Sequence, residues 1–128
     1  MITFALLAGI WSTSCIQTQI SNLGQGHVRE TYTIGLDQTY EFKREWFRDS
    51  KCTEPQGTDI ESGTIELGRE IQSLFAMSGT YEANFSSQGG IDLGAIAIQK
   101  NALKISRGIK NSTMRNTMLS LFEYVKQN

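Results

Sequence analysis

The chain has one proline, one histidine and two cysteines among its 128 residues. Two thiols and one imidazole are too few ligands for a structural zinc site, and Cys15 and Cys52 lie too far apart for a CxxC redox pair. No P-loop is present, and no G-x-G-x-x-G follows a strand. Charge of neither sign dominates: 12 basic and 13 acidic residues leave a net charge of -1. That balance lacks the electrostatic footprint of a nucleic-acid-binding protein, and it gives no pull toward an anionic membrane surface. No apolar run is long enough to cross a bilayer. "ITFALLA" at 2–8 has neither a basic lead nor an A-x-A cleavage site. The favoured reading is that a longer export signal has been removed, and that "FALLAGIW" is the apolar lead-in to the first strand.

The length fits one domain, 1–128, able to bury about two thirds of its unfolded surface. Gly is frequent at 12 residues, and Thr and Ser sit between apolar residues, which favours short strands and turns over long helices. The first strand is read over 9–20. "HVRETYTIGL" at 27–36 and "TYEFKREWFRD" at 39–49 alternate in polarity, joined by Asp37-Gln38 as a two-residue hairpin turn. Further strands are expected over 58–68 (with a break at Gly63), within 69–87, and over 91–99, 102–108 and 121–127, with Lys100-Asn101 a tight turn. A helix over 113–127 is the one competing reading, since Met114, Met118, Leu121 and Val125 have roughly helical spacing. Short strands joined by short turns predict an all-β protein: an antiparallel up-and-down barrel of about eight strands.

The two cysteines read most simply as one disulfide, Cys15–Cys52, which implies an oxidising compartment. Catalysis has little material. His27 is the lone histidine and reads as a surface residue, and no local motif supports a Ser-His-Asp or Cys-His site. Asp59 and Glu61 read as a solvated strand face. No enzyme activity and no cofactor or metal is expected.

The aromatic strand says more. Tyr40, Phe42, Arg44 and Trp46 share one face, and Val28, Glu30, Tyr32 and Ile34 share one on the strand before. A turn at Asp37-Gln38 sets Glu30 opposite Glu45, with Arg44 and Trp46 as neighbours; a one-residue slip changes the faces. Arg44 then pairs with Glu30 inside, meets a ligand carboxylate with its planar fork, or sits at an exposed rim.

Gly9-Ile10-Trp11 resembles the G-x-W signature on the first strand of lipocalins and fatty-acid-binding proteins. "YEFKREWFRDSKCTEP", with Cys15 before it and Gly63-Thr64 after it, resembles a pattern in small bacterial lipocalin-like (calycin) exported proteins. The resemblance spans most of the chain through short motifs. It implies that Gly9 and Trp11 close one barrel end and that a basic residue, Arg115 or Lys126, packs over Trp11. The chain departs from the family in being short and in having too brief a loop at 21–26 for a helical lid.

The expected function is non-catalytic storage or transport of a small hydrophobic or amphipathic ligand, such as a fatty acid. Candidate contacts are Tyr32, Tyr40, Phe42, Arg44, Trp46, Phe75, Tyr81 and Tyr124. The alternative is an exported protein-interaction or inhibitor module with a filled core. The implied location is periplasmic or outer-membrane associated. Peripheral membrane or lipoprotein attachment is left open, as is the choice between monomer and homodimer. Asn84-Phe85-Ser86 and Asn111-Ser112-Thr113 match the glycosylation sequon, which carries nothing in a bacterial chain.

Overall fold

A computed structural model describes residues 2–20, 24–72, 79–120 and 122–128. Among the described residues, one short helix, α1 (Phe4–Leu7), precedes nine strands. These are β1 (Gly9–Ser12), β2 (Ile16–Ile20), β3 (Gly24–Ile34), β4 (Thr39–Phe47), β5 (Pro55–Glu70), β6 (Tyr81–Ser87), β7 (Gly90–Gln99), β8 (Ala102–Ser106) and β9 (Tyr124–Lys126). Every pairing is antiparallel, in the order β1-β9-β8-β7-β6-β5-β4-β3-β2, and β1 also pairs with β3. That last pairing closes the sheet. Because β1 and β2 both lie along β3, they share one position, and the protein is a closed eight-strand antiparallel barrel.

The expected single strand over 9–20 is instead two strands with a bulge between them. Ser12 lies opposite Thr31, and Ile16 lies opposite Val28. Three residues on one side therefore face two on the other, and the extra residue reverses the side-chain alternation. Trp11, opposite Tyr32, and Ile16, opposite Val28, both face inward, so Cys15 turns to the other side of the wall. There it is bonded to Cys52, with the two Cα atoms 5.8 Å apart. Cys52 has φ +54° in a turn held by Asp49, whose carboxylate accepts from the Thr53 and Glu54 amides, each at 2.9 Å, and from the Thr53 hydroxyl at 2.5 Å. The hydroxyl bond above all, with the amide bonds beside it, lowers the Asp49 carboxyl to about 2.

The β3–β4 turn has three residues rather than two. Leu36 and Asp37 are followed by Gln38 at φ +72°, and the Gly35 amide donates to the Thr39 carbonyl at 2.9 Å. This is the three-residue hairpin loop with a left-handed last residue. It moves the register by one, so Glu30 lies directly opposite Arg44. Lys100 and Asn101 both have positive φ, as a tight two-residue turn requires. β5 runs unbroken through Gly63, where a Cβ would stand 1.8 Å from the Ser86 carbonyl oxygen. No helix forms in 113–120 or 122–127. Residues 112–120 are irregular, and the last strand is only Tyr124–Lys126.

The core fills the barrel at the Trp11 end. Trp11, Leu7, Ile34, Ile65, Phe85, Ile96 and Leu103 are buried together. The Trp11 indole donates to the Leu7 carbonyl at 2.7 Å, so the helical turn of α1 is tied under the barrel floor. Lys126 Nζ stands 5.6 Å from the centre of the Trp11 ring, within cation–π range. Gly9 makes room for it: its φ is +139°, and a Cβ there would lie 2.7 Å from Lys126 Cε. Arg115 is not over Trp11. Its guanidinium bridges β6 and β7, donating to the Gly94 carbonyl at 2.9 Å and the Ala83 carbonyl at 3.3 Å, beside Glu82. It sits there because the irregular stretch before β9 runs along β7, with the Asn116 amide donating to the Leu93 carbonyl.

The disulfide constrains the unfolded chain, with an expected effect of ~4 kcal/mol in the chain-entropy model. A Cys15→Ser, Cys52→Ser double variant should lose about 2–4 kcal/mol of unfolding free energy in urea titration. A midpoint equal to that of the oxidised parent would contradict this.

Candidate functional site

Alternation along the strands brings a set of charged and aromatic side chains into the barrel. Tyr32, Phe42 and Glu61 lie in register across β3, β4 and β5, as do Glu30, Arg44 and Asp59. On the far wall, Asp92 shares a face with Ile96 on β7, and Arg107 follows Leu103 and Ile105 at the end of β8. The aromatic rings pack on one another. Tyr32 stands 4.7 Å from Phe42 and 5.2 Å, edge-on, from Tyr124, while Tyr40 meets Phe85 edge-on at 5.6 Å.

Two ionic groups run through these rings. In the first, the Glu30 side chain is 4% exposed and Arg44 is 44% exposed. Arg44 donates to Glu30 Oε2 through Nε at 2.7 Å and through Nη2, and Tyr124 donates to Oε1 at 2.6 Å. Thus Arg44 is an inward residue that reaches the rim, and its first partner is Glu30. In the second, Arg107 holds Glu61 at 2.6 Å and Asp92 at 2.5 Å, with Lys110 within 3.5 Å of both carboxylates. Its guanidinium lies 4.9 Å from the Phe85 ring centre and 5.6 Å from that of Tyr40. Tyr40 donates to Glu61 at 2.5 Å. Three carboxylates face three cations, so the charge of the two groups is balanced.

The environment moves the titrations. Burial pushes the Tyr32 phenol up to about 12, against the opposing charge of Arg107. Burial first, then the bond to Glu61, raises Tyr40 further, and burial does the same for Tyr124. Burial alone would raise Glu61, but bonds from Tyr40 and Arg107 and the charges of Arg107 and Lys110 outweigh it and hold this carboxyl below 4.5. Burial opposes the charged form of Arg107, yet the surrounding phenols and Glu61 raise its pKa. Asp92 Oδ1 is buried and receives no hydrogen bond from the described residues, which leaves one acceptor open to a donor.

A cavity of about 290 Å³ opens beside these groups, where β8 has ended and β9 has not yet begun. Glu30, Tyr32, Phe42, Arg44, Arg107 and Tyr124 line it, with Ile105, Ser120 and Phe122. Four of the expected contact residues, Tyr32, Phe42, Arg44 and Tyr124, therefore meet at one site. Tyr40 lies behind them in the core. Trp46 is on the same strand face, opposite Val28, but does not line this cavity. Tyr81 lines a separate apolar pocket of about 270 Å³ with Ile2, Leu6, Gly79 and Ile98. Phe75 lies outside the described residues. Glu61, read above as solvated, faces the interior because it has the same parity as Ile65. Arg107 shares the parity of Leu103 and Ile105 within the strand expected over 102–108, but it was not singled out as a site residue; the strand itself ends at Ser106.

Compared with protein-family models, curated proteins and solved structures, the chain matches none.

Replacing Arg107 by Met should cost about 3 kcal/mol at neutral pH, because Asp92 and Glu61 lose the guanidinium they share and keep only their longer contacts to Lys110. A carboxyl held below its ordinary value stabilises the fold above that value and loses the contribution as pH falls through its folded value. The penalty of Arg107→Met should therefore be full at pH 7 and narrow below about pH 4.5, as urea titrations across pH will show. A pH-independent penalty would exclude the ionic account.

Proposed function

We propose that the barrel binds a small amphipathic molecule without transforming it. The observation that carries this reading is the cavity of about 290 Å³ with an aromatic wall and two guanidinium groups at its edge. The volume lies at the low end for small-molecule sites, which are typically about 300–1,000 Å³, so a short amphiphile suits it better than a long acyl chain. Phe42, Ile105 and Phe122 offer the apolar contact. Arg44 offers the polar one, since its exposed guanidinium keeps donors beyond those given to Glu30. A carboxylate matches that planar fork. The resemblance to lipocalin-like exported barrels supports the same reading, and the Cys15–Cys52 bond is in keeping with an oxidising, extracytoplasmic location. The filled core at the Trp11 end favours a second reading, an exported interaction or inhibitor module that keeps its barrel closed.

Decanoate and decanol separate the two. On the binding reading, decanoate binds saturably in the micromolar range in calorimetric titration and is retained in native mass spectrometry. Arg44→Met should weaken decanoate about tenfold and decanol little. Equal losses for both would remove the role given to Arg44, and no saturable response to either would favour the interaction module.

A further inference from the structure

β5 is the longest strand, and it outruns its neighbour on one side. β4 accompanies it from Pro55 to Thr64, but β6 pairs with it only from Gly63 onward. β6 then turns away at Gln88-Gly89 into β7. Among the described residues, no strand pairs with the first half of β5 on that side. The direction of its backbone groups follows from one bond. The Ile65 amide donates to the Gln38 carbonyl, toward β4. In an antiparallel pair alternate residues point their N–H and C=O to opposite edges, so Gly63, Glu61 and Asp59 face β4. Thr58, Ile60 and Ser62 then present their N–H and C=O groups outward. Where β6 would continue there is a groove of about 520 Å³, lined by Ile60, Glu61 and Ser62, by Ser87, Gln88 and Gly89, and by Lys110. Ile60 is 62% exposed beside it.

We propose that this edge takes up an extended peptide segment of a partner protein as an added strand, in line with β6. An open edge offers main-chain hydrogen bonds to any extended chain, and side chains on the two faces select among them. Selection here is by charge. The inner face of the edge carries Asp59, for which no ion pair occurs among the described residues, and Glu61, turned toward Arg107 and Lys110. A lysine or arginine opposite Asp59 and a β-branched residue beside Ile60 fit these positions. A second copy of the chain fits poorly. Antiparallel self-pairings centred on Asp59, Ile60 or Glu61 set Asp59 against Asp59, Asp59 against Glu61, or Glu61 against Glu61. Like charges directly opposite are destabilising. Pro55, without an N–H, marks the far limit of the usable edge.

The test uses the oxidised full chain, a capped hexapeptide of alternating lysine and valine, and the same peptide with glutamate for lysine. Hydrogen exchange at the Thr58, Ile60 and Ser62 amides, followed by NMR, should slow at least tenfold with saturating lysine peptide and not with the glutamate peptide. Ile60→Pro removes an outward N–H that the fold does not use, and should abolish binding. Asp59→Lys leaves the backbone intact and should weaken the lysine peptide at least fivefold. Unchanged exchange at these three amides with saturating lysine peptide would overturn the proposal. So would protection that rises with protein concentration in the absence of peptide, since that is self-association.

Discussion

The buried carboxylate of Glu30 is the point on which the barrel's closure turns. Through its backbone it holds Thr13, the first residue of the bulge: the Thr13 amide donates to the Glu30 carbonyl at 2.9 Å, and the Glu30 amide donates to the Thr13 hydroxyl at 3.0 Å. Through its side chain it holds Arg44 on β4 and Tyr124 on β9. One residue thus links the two sides of the seam where the last strand meets the first. A charge so placed is stable only because its lone pairs are engaged, and removing any one donor leaves the others to carry the cost of desolvation. The Arg107 group repeats this logic at the opposite wall, joining β5 to the end of β8.

This arrangement explains why the barrel is neither hollow nor wholly apolar. Around Trp11 the interior is packed with aliphatic and aromatic side chains, as small barrels usually are. Toward the other end the packing gives way to paired ions laced between rings, and beside them the cavity opens. The wall is irregular there, since β9 has only three residues and the stretch from Gly108 to Ser120 forms no strand. The site exists where regular pairing stops.

Much of the fold was legible because strand alternation is a local property. The antiparallel barrel, the Lys100-Asn101 turn and the shared face of Tyr40, Phe42 and Arg44 follow from short-range pattern, the disulfide follows from there being two cysteines, and the direction of the Arg44 face stayed open. What escaped depends on single-residue offsets. The Asp37 turn holds three residues instead of two, and that alone moved Glu30 from opposite Glu45 to opposite Arg44. The interior Glu61, Asp92 and Arg107 escaped for another reason. Each is costly to bury alone, and only the three-dimensional fold shows that each has a partner. Arg115 and Lys126 were equal candidates for the Trp11 ring, and the choice rests on the path of residues 107–120, which no periodicity predicts.

The bulge at 13–15 does for this strand what a half-turn does for a ribbon. Before it, Trp11 looks into the protein; after it, Ile16 does. A wall of constant phase would have sent Trp11 and Cys15 to the same side, and the strand would have had to choose between a lid and a tether. One inserted residue separates the two duties. The cross-link then fastens the outside of the wall while the interior keeps its packing, and neither sets the geometry of the other.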